Sequence, residues 1–439
     1  MKKLVAVVAV LVAVMGWAVP ARAVVPTMDT VPAATLLLPY FEVDLGNPSG
    51  VNTLLSINNA TASAVVLHFV MYSDLSVPTA NFNIYLTGYD VQTINMRDIF
   101  NGLLPLTADL ARDPGDTISP QGQFSDDVTF PGCGGPPVAL LPPTPVPAGF
   151  TTHLANAHTG KGSAFLPVGG NPGCAGQNLG DSIARGYVVI NQLNACTLVF
   201  PHEPGYFVAG GTGLAGNQNV LWGDYFYVND GQNFAQGNPL VHIEADATNP
   251  ETSVPGEYTF FGRYVAWTAA DNREPLATNF ATRFLNGGSF TGNTDLITWR
   301  DSKVSQGAFT CPAVAGIRPA WYPMGQEQIV IFDEEENPDI PPSLPIGPPP
   351  PNQSIIPFPA EANRTRLDAG ELVPAFPFGW LYLNLNQSNA AAGANPPEDP
   401  LASQAFVGVV MDAEGRFSVG FSAITLDNAA NANHTLIGN

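Results

Sequence analysis

The chain has 439 residues, and its 16 basic against 37 acidic side chains give a formal net charge of −21. Such a field repels nucleic acid and anionic lipid, and no Lys/Arg cluster offsets it locally, so nucleic acid is not an expected partner. Only 12% of the residues are charged, so the acidity serves solubility rather than a halophilic surface.

Lys2 and Lys3 precede an apolar run over residues 4–18, and Ala21-Arg22-Ala23 supplies the small-x-small pattern of a cleavage site. Residues 1–23 are therefore expected to be a signal peptide, and the chain to be exported to the periplasm, the cell surface or the medium. The run lies near the lower limit of the roughly 17–25 residues that a membrane helix needs. No Cys follows the site to carry a lipid anchor, and no later stretch is long and apolar enough to span as a helix. No integral membrane segment is expected after cleavage. Losing Lys2, Lys3 and Arg22 leaves the mature chain more acidic still.

Residues 24–100 read as strands of a β-sandwich. Over 81–87, Phe82, Ile84 and Leu86 fall on one face while Asn81, Asn83, Tyr85 and Thr87 fall on the other, the period of a half-buried strand. Windows 51–58, 65–72 and 91–96 are further strands between turn signals. The fold class that follows is all-β: an antiparallel sandwich of immunoglobulin-like or jelly-roll type, with long Gly/Pro-rich loops, one short helix and a C-terminal hairpin.

Residues 101–180 break the pattern. Seven prolines fall between 131 and 147, removing backbone donors and fixing φ, so an irregular excursion is expected. His153 and His158 are five apart, out of phase for one helix face, and a loop is expected around them. The four cysteines after the signal are Cys133, Cys174, Cys196 and Cys311, with no C-x-x-C among them. An even number in an exported chain predicts two disulfides with three connectivities. The Gly-rich settings of Cys133 and Cys174 favour joining those two, leaving Cys196 with Cys311.

Residues 181–335 form an aromatic-rich β region, including Trp222, Tyr225, Phe226 and Tyr227. Burial between sheets is the simpler reading of these rings; stacking on sugars at an exposed face is the other. Asp271 or Asn272 as a cap, Pro275 in a first turn, Leu276, Phe280 and Phe284 at intervals of four, and Gly287 as a stop predict the one helix. Arg263 and the run Trp299-Arg300-Asp301 are placed to supply buried ion pairs. His242, Glu244 and Asp246 share one strand face. That spacing suits either an exposed polar face or an imidazole and carboxylates turned to a metal or a glycosidic bond. Asp333, Glu335, Asn337 and Asp339 imitate the first half of a calcium loop. However, Pro338 occupies the place of the bending Gly and residue 344 is Leu rather than the closing Glu, so an EF-hand is excluded. A looser calcium site is the one cofactor left open, against a plain solvated charge run.

Residues 336–375 are a Pro-rich spacer, with eight prolines between 338 and 351. Residues 376–439 carry strands at 380–386, 405–411 and 417–426. The last two are joined through Asp412-Ala413-Glu414-Gly415 as a hairpin, expected to complete the sandwich begun near residue 35. Trp380 and Tyr382 stand opposite the Leu381, Leu383 and Leu385 face.

Catalytic signatures are missing from the sequence. G-x-S-x-G does not occur, no phosphate-cradling loop is present, and His202-Glu203 lacks the second His of H-E-x-x-H. The expected role is non-catalytic: envelope-associated or extracellular structural or binding work, with a glycan or envelope component as partner. The alternatives are a secreted hydrolase using paired carboxylates among Asp224, Glu244 and Asp246, and a calcium-dependent adhesion module.

Overall fold

Runs with period-two alternation, punctuated by Gly, Pro and Asn, can bury an apolar face only by pairing into sheets. A computed structural model describes residues 31–108, 130–133, 146–168, 171–245, 259–265, 271–302, 324, 326, 328–339, 357–368, 372–386, 403–413 and 416–426. Over these the chain is mostly β, with antiparallel sheets and three short helices.

The first half runs through β1 (Thr35–Asp44), β2 (Asn52–Asn59), β3 (Val65–Ser73), β4 (Pro78–Leu86) and β5 (Val91–Asn95). Helix α1 (Met96–Phe100) follows, and the Asn95 side chain caps it by accepting the Arg97 N–H. Helix α2 (Phe150–His158) and a ribbon of β6 (Ser163–Val168) and β7 (Asn171–Gly173) come next. Then come β8 (Ile183–Leu193), β9 (Leu221–Asn229), β10 (Phe234–Pro239) and β11 (Val241–Ile243). Sheet I has the order β11-β1-β8-β3-β4 and sheet II the order β10-β9-β2-β5. Leu37, Phe41, Phe69 and Ile190 of sheet I share one core with Leu55, Ile57 and Tyr225 of sheet II.

Strands β1 and β3 are buried almost from end to end, which requires cover on both faces of sheet I. The described parts of the 101–180 excursion supply some of that cover. Helix α2, where a loop was expected, inserts Leu154 into the core and packs Ala157 on Val77 and Ala175. Cys133 and Cys196 join Val66, Leu193, Tyr206 and Ala215 in a second cluster, and they are bonded to each other. The bond overturns the expected Cys133–Cys174 and Cys196–Cys311 pairing. Connectivity follows spatial neighbours across 63 residues rather than local glycine content. Cys174 is also disulfide-bonded, and Cys311 lies outside the described residues.

The second half comprises α3 (Gly262–Val265), β12 (Asn279–Leu285), β13 (Asn293–Ser302), β14 (Gln328–Phe332) and β15 (Pro338–Asp339). It continues with β16 (Ala362–Arg366), β17 (Phe378–Asn384), β18 (Ser403–Ala413), β19 (Phe417–Ser422) and β20 (Ile424–Thr425). Sheet III is β15-β14-β17-β12-β20 and sheet IV is β16-β13-β18-β19. The C-terminal strands therefore build a second sandwich with β12 and β13 rather than completing the first. The hairpin of β18 and β19 forms as expected, with β18 running on through Asp412 and Ala413 so that Ala413 lies opposite Phe417. The helix expected around Leu276, Phe280 and Phe284 is instead β12. A spacing of four satisfies a strand's period of two as well as a helix's 3.6, and pairing with β17 and β20 decides between them.

The central strands of sheet IV, β13 and β18, are buried on both faces. Ala405, Val407, Val409 and Met411 of β18, with Leu296 of β13, meet Phe280, Leu381 and Leu383 of sheet III. The intervening Phe406 and Val410, with Ile297 and Trp299, belong to the core of the first sandwich. One sheet thus serves two cores and ties the sandwiches together.

Candidate ligand-binding surface

The outer face of sheet II carries the exposed chemistry. Strand β9 alternates strictly: Leu221, Tyr225 and Tyr227 point inward and are buried, while Trp222 and Phe226 are each 44% exposed with Asp224 between them. The expected burial of this aromatic cluster and its expected exposure are both realised, on alternate residues. Successive outward side chains are about 6.6 Å apart, so Trp222 and Phe226 stand roughly 13 Å apart along the strand. The register sets Asn58, Ser56 and Leu54 of β2 opposite Trp222, Asp224 and Phe226. Gly237 of β10 lies on the other side of Phe226. A Cβ at Gly237 would come 2.6 Å from Cδ1 and Cε1 of Phe226, so the ring lies down over the β10 backbone where only glycine leaves room.

A hydrogen-bonded row lies between the two rings. The Asn58 amide donates to Ser56 Oγ at 3.3 Å, and Ser56 Oγ donates to Asp224 Oδ1 at 2.6 Å. Further along the face, Asn52 Nδ2 donates to Asn95 Oδ1 at 2.9 Å. The four strands of sheet II contain no Lys or Arg.

Apart from Asp224, the candidate catalytic and metal-binding residues do not lie on this face. His242 lies on β11 and is 4% exposed, so its strand face is not an open polar one. Its Nδ1–H donates to the Val31 carbonyl at 2.7 Å and Nε2 accepts the Gly223 N–H at 3.4 Å, which leaves neither nitrogen for a metal. Glu244 follows β11 at the edge of sheet I, whereas Asp224 belongs to sheet II; Asp246 lies outside the described residues. Asp333 organises the turn between β14 and β15. Its Oδ1 accepts the N–H of Glu335 at 2.9 Å and of Asn337 at 2.8 Å, and its Oδ2 accepts Asn337 Nδ2 at 2.8 Å. These bonds, the Asn337 side chain first, hold its pKa below the usual carboxylate value. Glu335 and Asn337 are exposed and Asp339 sits on β15. Among the described residues, no group of three or more His, Cys, Asp or Glu gathers as a metal site would require. Asp333→Ala is expected to speed amide exchange at Glu335 and Asn337 while leaving β18 protected, as hydrogen exchange read by NMR would show. Trp380 stacks on Phe332 at 4.3 Å and 9°, and Tyr382 is fully buried.

Two buried groupings gather titratable side chains away from this face. In the first, His153 Nε2–H donates to the Thr79 carbonyl at 2.8 Å, so Nδ1 accepts the Ser163 hydroxyl at 2.7 Å. That is the hydrogen-bond order of an activated serine. With Ser163 1% and His153 5% exposed, though, a substrate carbonyl has no path to Oγ, and the pair ties α2 to β4 and β6. His158 does the same, with Nδ1–H donating to the Arg185 carbonyl and Nε2 accepting Thr79 Oγ1, each at 2.8 Å. Burial lowers its pKa to about 4, and that of His68 to about 3.

The second grouping lies where the sandwiches meet. Arg263 Nη1 is 3.0 Å from Asp301 and 3.2 Å from Glu361, while its Nη2 donates to Ser76 Oγ at 2.7 Å and Tyr264 Oη at 2.8 Å. The Arg263–Asp301 pair matches the expectation of buried ion pairs. Tyr187 Oη donates to Glu361 Oε1 at 3.0 Å. Glu361 is fully buried, and burial lifts its carboxyl to about 8 against the pull of Arg263, with Asp301 adding to the rise. Close by, Asp74 accepts Gln177 N–H and Nε2–H, and burial lifts it to about 6. A further seam joins Glu42 of β1 to Arg364 of β16 at 2.8 Å, and Arg364 to Asp295 at 2.6 Å. These acids and cations pair with one another across the seam, where Glu42, Asp295, Asp301 and Glu361 are buried.

No family model, curated protein or solved structure matches the chain. Among the described residues no helix is long and apolar enough to cross a membrane.

Proposed function

We propose that the protein is a non-catalytic binding protein working outside the cytoplasm, in the periplasm, at the cell surface or in the medium, and that it holds an envelope or extracellular polymer on the outer face of sheet II. One observation carries the reading: Trp222 and Phe226 are presented to solvent on a paired, rigid sheet, with a polar row between them. A large ring left in water on a rigid element adds binding area at little ordering cost, and such rings dominate binding surfaces. Two further points support it. Disulfides persist in oxidising compartments, in keeping with the export predicted for residues 1–23. The Ser–His pair and the acid clusters, which could have supported hydrolysis, are sealed. Nucleic acid has no place in this reading, since sheet II offers no cation to a phosphate.

The test is co-sedimentation of the purified protein with isolated cell envelopes and with insoluble extracellular polymer. Retention is expected for the native protein, and the Trp222→Ala/Phe226→Ala double variant is expected to lose at least about tenfold in affinity with an unchanged melting temperature. Equal retention of both proteins would refute the assignment. Fractionating the producing cells and weighing the recovered protein tests export, with cleavage after Ala23 as the expected mass.

A further inference from the structure

The side chains between the two rings narrow the chemistry of whatever lies on them. One edge of the Phe226 ring, Cδ1 and Cε1, crosses above Gly237 where a Cβ is missing, and the residue is 44% exposed, so ring surface is turned to solvent. An outward ring face is electron-rich and attracts polarised C–H groups presented as a flat patch. The hydrogen-bonded row has a direction: Asn58 donates to Ser56, Ser56 donates to Asp224, and the row ends on a carboxylate. Oδ2 of Asp224 accepts no hydrogen bond from the described residues, so the row ends in an open, charge-assisted acceptor for a hydroxyl donor. Charge sets the third condition. With no Lys or Arg in any strand of the sheet and a net charge of −21 on the chain, a phosphorylated or carboxylated polymer is repelled.

Flat C–H patches alternating with hydroxyl donors, without negative charge, describe a neutral sugar chain. We infer that the ligand of the outer face of sheet II is an uncharged glycan, its sugar rings lying on Trp222 and Phe226 and a hydroxyl between them donating to Asp224. The inference rests on the binding role proposed above and gives it a ligand class. A second copy of the protein fits less well, because an apolar partner surface would bury the Asp224 carboxylate without a donor, a costly desolvation. A lipid surface fails for the same reason.

The deciding experiment is affinity electrophoresis of the full chain through gels containing neutral glucans, mannans or xylans, beside polygalacturonate as the anionic probe, with sedimentation on cellulose and chitin as the insoluble arm. Retardation by at least one neutral glycan and none by polygalacturonate is expected. Trp222→Ala and Phe226→Ala should each weaken that binding at least about tenfold, and Asp224→Asn by several-fold, at an unchanged melting temperature. Gly237→Val should weaken it too, by lifting the Phe226 ring, and Leu179→Ala, exposed elsewhere, should not. Three outcomes would overturn the inference: no neutral glycan is retained, retention survives in the Trp222→Ala/Phe226→Ala double variant, or the face proves to be a self-association surface whose dimer, seen by analytical ultracentrifugation, is lost in that variant. If envelope retention depends on Trp222 and Phe226 yet survives periodate destruction of the sugars, the glycan assignment fails while the binding role stands.

Discussion

Arg263→Met is expected to lower the unfolding free energy by about 3–5 kcal/mol at neutral pH, the range for breaking a buried charge pair by removing one partner. Arg263 is 3% exposed and Asp301 is 4% exposed, so the carboxylate left behind has no access to water. Met keeps most of the side-chain volume, which limits the cavity contribution and isolates the electrostatic one. The cost lies mainly in taking the opposing cation from Asp301, because Glu361 can remain protonated whereas Asp301 loses the charge 3.0 Å away from it. Adding Asp301→Asn to the variant is therefore expected to recover part of the loss, as urea denaturation of both proteins would show. The surface pair of Arg185 with Asp181 at 2.7 Å is the control. With Asp181 39% exposed, Asp181→Asn should cost less than about 1 kcal/mol. Equal losses in the two variants would contradict this account of the seam.

Stability is expected to peak near pH 6.5 and to fall on both sides, for opposite reasons. Glu361, at about 8, and Asp74, at about 6, keep protons in the folded state that the unfolded chain releases near the ordinary carboxylate values. Their contribution is complete below those ordinary values and is lost as pH rises through about 6 for Asp74 and about 8 for Glu361. His68 and His158, at about 3 and 4, refuse protons that the unfolded chain takes up near 6.5, and burial lowers His153 and His202 in the same sense. Their contribution is complete above 6.5 and is lost on acidification. Above pH 6.5 the histidines are silent, and Glu361 makes stability fall by up to about 1.4 kcal/mol per pH unit, roughly 2 kcal/mol by pH 8, with Asp271, also raised by burial, acting in the same direction. Below pH 6.5 four histidines oppose three acids, since burial raises Asp271 as well, and the histidines prevail. Denaturant midpoints at pH 5, 6.5 and 8 check the shape of the curve. Glu361→Gln should flatten the alkaline limb and steepen the acid limb, where Glu361 no longer opposes the histidines. A native protein that gains stability between pH 6.5 and 8 would contradict it.

The local signals carried most of the architecture. The windows at 51–58, 65–72, 81–87 and 91–96 correspond to β2 to β5 within a few residues, because alternation and turn residues act over short distances. What depended on distant partners was hidden. The spacing of Leu276, Phe280 and Phe284 fits two periods, and only the strands beside it select one. The Cys133–Cys196 bond and the separate second sandwich are likewise matters of which segments meet. Helices α1 and α2 are too short for their periodicity to stand out, although Asn95 ahead of Met96 is a capping signal that could have located the first. The surface of sheet II was half legible. The alternation of Trp222, Asp224 and Phe226 against Tyr225 and Tyr227 is visible in the chain, but which set faces water follows from the pairing with β2 and β10.

The strand order of sheets I and II also governs how the fold is reached. Thr35 on β1 meets Asn191 on β8 across 156 residues, and Ser56 on β2 meets Asp224 on β9 across 168. Loops of that length must close before either sheet gains its central partners, and topologies dominated by distant pairings are the slow ones to form. A newly made chain therefore spends a long interval without the central pairings of either sheet, while local hairpins such as β3 with β4 close early.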